Sequence, residues 1–130
     1  MKLAFSIVLG GALGTLLRYG FGLLHPPGAN GFPWATWGVN ALGCFLFGLV
    51  LALLEKSFLL PPSVGQVLLT GMLGGFTTFS SFVAETRSLF SRGSWHLAVF
   101  NLVGEILVGL IAIYIGLSLG EWLIGLIRTR

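Results

Sequence analysis

GGFTTFSSF, residues Gly74–Phe82, sits midway along an apolar stretch long enough to cross a bilayer, and its composition is wrong for an uninterrupted helix. A glycine pair weakens a helix, and Thr77, Thr78, Ser80 and Ser81 offer their backbone competing hydrogen bonds. Lipid has no water to satisfy a freed amide or carbonyl, so a break at membrane depth is tolerated only where protein buries it or it lines a cavity. The stretch therefore predicts a span interrupted at mid-membrane. Such a break has two ends. The N–H groups of the second half suit an anion, and the carbonyls of the first half suit a cation. Phe79 and Phe82 are three residues apart and share a face. They either pack against lipid or core, or present their ring edges, the positive part of the aromatic quadrupole, to a small anion beside the hydroxyl and amide donors. The residues alone leave the sign of the ion open.

The rest of the chain fixes the setting. Only 8% of its 130 residues are charged and 55% are apolar, against about 25% charged in soluble domains. Because the hydrocarbon core is about 30 Å thick, about 20 apolar residues make a spanning helix. Four such stretches run over 3–24, 33–54, 64–90 and 97–119, which leaves no soluble portion and predicts a single transmembrane domain over 1–130. The first span, with glycines and Arg18 in its second half, reads as a retained helix rather than a cleaved signal. Prolines 26, 27, 61 and 62 punctuate the loops, and Trp34, Trp37, Trp95 and Trp122 mark span ends as an aromatic belt does. Lys2, Lys56, Arg128 and Arg130 fall on one side of the membrane, and Arg18, Arg87 and Arg92 on the other. So even a balance sets no orientation under the positive-inside rule: either something other than charge sets the topology, or the chain inserts both ways and works as an antiparallel dimer.

Several function classes drop out. One cysteine, two histidines and no aspartate are too few for a zinc-type site. No nucleophile–base pair or carboxylate pair argues for an enzyme, and a net charge of +3 in a membrane chain is no sign of nucleic acid. The glycine patterns at Gly10, Gly11 and Gly14, at Gly71 with Gly75, and at Gly116 with Gly120 read as close helix packing. Polar residues inside spans are functional candidates by default. Asn40 in GVNALG makes an interhelical bond or faces a pathway. Arg18 in LLRYG snorkels to the interface or attracts an anion. Glu105, deep in the fourth span with Asn101 one turn earlier, is neutral, pairs with Arg18, or faces an aqueous vestibule.

GGALGTLLRYG, WGVNALGCFLFG and GMLGGFTTFSSF resemble the first-, second- and third-helix motifs of the small bacterial fluoride channels called Fluc or CrcB, and the likeness runs the length of the chain. The third motif is the most specific. The resemblance implies an all-α, four-span protein acting as an antiparallel, dual-topology homodimer in the bacterial inner membrane. It would export cytoplasmic fluoride passively through two pathways, and a structural Na⁺ would sit at the dimer centre on backbone carbonyls. By motif, Phe79 and Phe82 match pore phenylalanines, and Asn40 the pore asparagine. Thr78, Ser80 and Ser81 match hydroxyl positions, Arg18 a vestibule basic residue, and Gly74 and Thr77 the carbonyls for Na⁺. Glu85 resembles an acidic residue found after the signature in some members. The fourth helix departs: where the family often has Tyr and Ser, this chain has Asn101 and Glu105.

The alternative is a small multidrug-type proton-coupled transporter, also four-helical and of dual topology. It needs a membrane carboxylate, typically in its first helix. The first span here contains no acid, and Glu105 alone keeps that alternative open. A non-transporting membrane subunit leaves the hydroxyl-rich break without a purpose.

Overall fold

The computed structural model describes residues 1–28, 30–57 and 60–128. Ala29 of the first loop, Phe58 and Leu59 of the second, and Arg130 of the charge count lie outside the described residues. The fold is helical, with no strand among the described residues. Helix α1 covers Lys2–Leu24 and α2 covers Trp34–Ser57. The third segment contains α3 (Pro62–Gln66), a π-helical turn region (Val67–Leu73), α4 (Gly74–Phe76) and α5 (Phe79–Ser91), and α6 (Trp95–Arg128) follows. Four helical stretches, Lys2–Leu24, Trp34–Glu55, Pro62–Ser91 and Trp95–Arg128, are long and apolar enough to cross a membrane. The fourth is longer than its apolar run suggests, because Gly120, Glu121 and Trp122 stay helical.

The ends follow local chemistry. Pro61 caps α3 in extended backbone (φ −61°, ψ 145°), and Pro62 takes the first turn, where a missing N–H costs nothing. Helix α5 closes in a Schellman turn: Ser94 N–H reaches the Leu89 carbonyl and Gly93 N–H the Phe90 carbonyl, both at 3.0 Å. The turn needs the left-handed φ of +73° that Gly93 adopts without a Cβ penalty.

Packing splits the molecule into two close pairs, α1 against the π segment with α4, and α2 against α6. Glycines seat both. A Cβ on Gly14 would collide with the backbone of Met72 and Phe76, and one on Gly71 with the backbone of Ile7. In the other pair, Gly116 abuts the Phe45 carbonyl and Gly48 the Ile113 carbonyl. Close approach through small residues is how helices gain contact where lipid offers no hydrophobic drive. After the non-helical residues Thr77 and Thr78, the chain changes partner, and α5 packs on α6. A small buried cluster of Phe32, Leu89 and Ala98 closes one end, with Trp37 against it. Elsewhere apolar side chains point outward, and α1 buries only Gly14. Outward apolar surface on this scale suits a multi-pass membrane protein.

Candidate functional site

The site is organised around two extended residues. Helix α4 stops at Phe76, whose successor Thr77 turns extended (φ −80°, ψ 162°); Thr78 is extended as well (φ −150°, ψ 113°), and α5 begins at Phe79. Thr77 ends the first half by bonding the Leu73 carbonyl twice, from its N–H and its hydroxyl, both at 3.0 Å. Thr78 starts the second half as an N-cap, its Oγ1 accepting from the Ser81 amide at 3.2 Å and donating to Ser81 Oγ at 2.9 Å.

Asn40 of α2 holds this peptide from the side. Its Oδ1 accepts from the Thr78 amide at 2.8 Å, and its Nδ2 donates to the Thr78 carbonyl at 3.1 Å and to Glu105 Oε1. The carboxamide thus does what a neighbouring β-strand would do, satisfying a buried stretch of backbone that no helix serves. One consequence concerns the carbonyls. In a continuous helix the Thr78 amide would serve the Gly74 carbonyl, and the Ser81 amide that of Thr77. Here those amides go to Asn40 and to the Thr78 hydroxyl, so the carbonyls of Gly74 and Thr77 are released from their helical donors.

An open groove of about 500 Å³ runs past these groups. Asn40, Gly74, Thr77, Thr78, Phe79, Phe82 and Glu105 are among the residues that line it. The Phe79 and Phe82 rings are 5.7 Å apart and inclined by 51°. They differ sharply in exposure: Phe82 is 4% exposed and Phe79 77%. A second groove, of about 650 Å³ between α1, α2 and α4, is lined by apolar side chains such as Leu17, Phe21 and Leu46 and holds none of these polar groups.

A family model described as CrcB-like protein, Camphor Resistance (CrcB), matches residues 5–117. The chain belongs to the CrcB family. It is 42% identical over 121 residues to a Nitrosococcus oceani protein named fluoride-specific ion channel FluC, covering 92% of this chain and 96% of that one. A protein of the same name from Chloroflexus aurantiacus is 44% identical over 123 residues, covering 94% and 98%. One from Magnetococcus marinus is 39% identical over 122 residues, covering 93% and 98%.

In this CrcB chain not every candidate residue reaches the groove. Ser80 and Ser81 join it only through the Thr78 hydroxyl, at 3.5 and 2.9 Å. Arg18, half-buried on α1, lies outside it. Glu85 sits in a neighbouring polar layer, its Oε1 accepting from Thr36 Oγ1 at 2.8 Å. Asn101 is fully buried, accepting from the Trp37 indole at 2.8 Å and donating to Thr86 Oγ1 at 2.8 Å, and Thr86 in turn holds the Phe82 carbonyl at 2.8 Å. Glu105 bonds Asn40, not Arg18, within the chain.

The sequence also carries weak signals for Thr36, Trp37 and Thr86. Thr36 lies one turn before Asn40 and shares its face, as Thr86 does with Phe82. Trp37 resembles a headgroup anchor until its N–H is followed inward to Asn101.

Proposed function

We propose that this chain is a passive fluoride-selective channel of the bacterial inner membrane that lets cytoplasmic fluoride escape and so confers fluoride resistance. The names of its relatives support the ion. The observation that carries the pathway is the Asn40 clamp on Thr78, which keeps a non-helical backbone satisfied beside a groove bearing hydroxyls and phenylalanine edges. In this reading the interruption at Thr77–Thr78 lies at mid-membrane, and two chains pair antiparallel as a dual-topology homodimer. Arg18 draws the anion into the vestibule. The anion then passes along Asn40, Thr78, Phe79 and Phe82, exchanging water for the ring edges, with Ser80 and Ser81 supporting the Thr78 hydroxyl.

The fold also suits a structural Na⁺. The carbonyls of Gly74 and Thr77, released from their helical donors, are the hard oxygen ligands that a small cation takes. Bound between the crossed chains, it would supply positive charge to oxygens that no helix satisfies.

Fluoride efflux from proteoliposomes tests the function. Fluoride leaves down its gradient, chloride does not, and an imposed pH gradient changes neither. Proton-coupled drug flux without fluoride movement would establish the multidrug-type transporter instead.

A further inference from the structure

The groove's polar side chains have few hydrogens to spare. Asn40 has two amide hydrogens and both are committed, one to the Thr78 carbonyl and one to Glu105 Oε1, while its Oδ1 is taken by the Thr78 amide. The Thr77 hydroxyl donates to the Leu73 carbonyl and the Thr78 hydroxyl to Ser81. In this arrangement none of the three has a hydrogen to offer an anion. Glu105 is different. It is 8% exposed, lines the same groove, and has one oxygen on Asn40, while Oε2 is buried with no hydrogen-bond partner among the described residues.

An ionised carboxylate only accepts, and leaving one of its oxygens bare among apolar side chains is costly at membrane depth. It would also repel the permeating anion. A carboxylic acid has another inventory: Oε1 still accepts from Asn40, and Oε2 donates. We propose that Glu105 holds a proton on Oε2 and, by a turn of the carboxyl that brings this buried oxygen to the groove, offers it as a hydrogen bond to the anion, supplying the donor that Asn40 has spent on Thr78 and on Glu105 Oε1. This rests on the fluoride-channel reading above. No bond to hydrogen breaks; the proton stays on the carboxyl, and the anion moves on by exchanging this hydrogen bond for the next donor. Glu105 is then a specificity residue. Its short, directional donor suits a small, hard anion better than a larger, softer one.

The test uses the full chain in proteoliposomes. Glu105→Gln keeps an acceptor for Asn40 and a donor for the anion, so fluoride efflux stays near wild type. Glu105→Ala removes the donor, and efflux falls by about 10- to 100-fold, the value of one hydrogen bond to a charged partner. Efflux in Glu105→Ala equal to or above wild type overturns the proposal, as does a collapse in Glu105→Gln, which would show that the negative charge is required. If Glu105→Ala fails to assemble, infrared difference spectra decide. Wild type should show a protonated carboxylic-acid band that shifts when fluoride replaces chloride and is missing in Glu105→Gln; no such band overturns the proposal. Wild-type protein that passes no fluoride ends the channel reading itself, whereas a conducting wild type with an undiminished Glu105→Ala ends only this inference.

Discussion

At the scale of single residues, Thr78 and Phe82 show how few groups hold the site open. Thr78 is buried, its amide and carbonyl face Asn40, and its hydroxyl caps α5. Every polar atom of that residue is therefore engaged in maintaining the interruption. Phe82 is held from behind, where Asn101 is fixed by Trp37 and fixes Thr86, which grips the Phe82 carbonyl. Phe79 has no such frame and is 77% exposed in the single chain. The two rings should thus respond differently to substitution. Phe82→Ile keeps most of the buried volume but removes the aromatic edge, so fluoride efflux should fall while the protein runs at its normal size in detergent. Phe79→Ile should also depress efflux, with less effect on thermal stability, since its ring fills no core within the chain. Unchanged efflux in both would remove the phenylalanines from the mechanism.

At the scale of elements, the third segment is two helices with different allegiances. Its first half lies on α1 through glycines, and its second half lies on α6 through Leu89, Thr86 and the layer around Asn101. The joint between them is where polar backbone becomes available. Disturbing the seat of the first half should therefore reach the site without touching it. Gly14→Leu forces a side chain into the backbone of Met72 and Phe76, and overpacking of this kind costs about 1–3 kcal/mol. Gly20, two turns on, has nothing within 4 Å of its would-be Cβ, so Gly20→Leu should be close to neutral. Thermal unfolding in detergent compares the two, and equal midpoints would show that the glycine seat does not hold α1 in place. The glycine spacing was legible in the sequence because small residues at four-residue intervals have one main use in lipid. The π-helical Val67–Leu73 was not, since a helix bonded i to i+5 leaves no distinct period in seven apolar and small residues. Asn101 was visible as a polar residue inside a span and Glu85 by its likeness to an acidic position of the family, but their partners Trp37, Thr86 and Thr36 come from other spans, and one chain read end to end does not show which faces meet.

At the scale of the whole molecule, a nearly even charge distribution goes with a groove that one chain leaves open on its side. Phe79 is 77% exposed at the groove, which Gly74 and Thr77 also line, and a second surface would cover it. In the proposed antiparallel dimer that surface is a second copy inserted the other way up. On that proposal, the near balance of Lys2, Lys56, Arg128 and Arg130 against Arg18, Arg87 and Arg92 would let both orientations arise from one sequence. Orientation should accordingly be tunable by charge alone. Glu55→Lys with Ser63→Lys adds positive charge to one set of loop ends; Ser91→Lys with His96→Lys adds it to the opposite set. All four positions are exposed and far from the groove residues in sequence, so neither pair of changes should alter the site chemistry. Each variant expressed alone should insert one way only and yield little fluoride efflux, because no antiparallel partner exists. Expressed together, the two populations should pair and restore efflux. A single cysteine introduced into one loop of a Cys44→Ser background, labelled from each side of the membrane, reports the orientations independently of transport. Full efflux from either variant alone, with all of its chains labelled from one side, would mean that the pathway does not require an inverted partner.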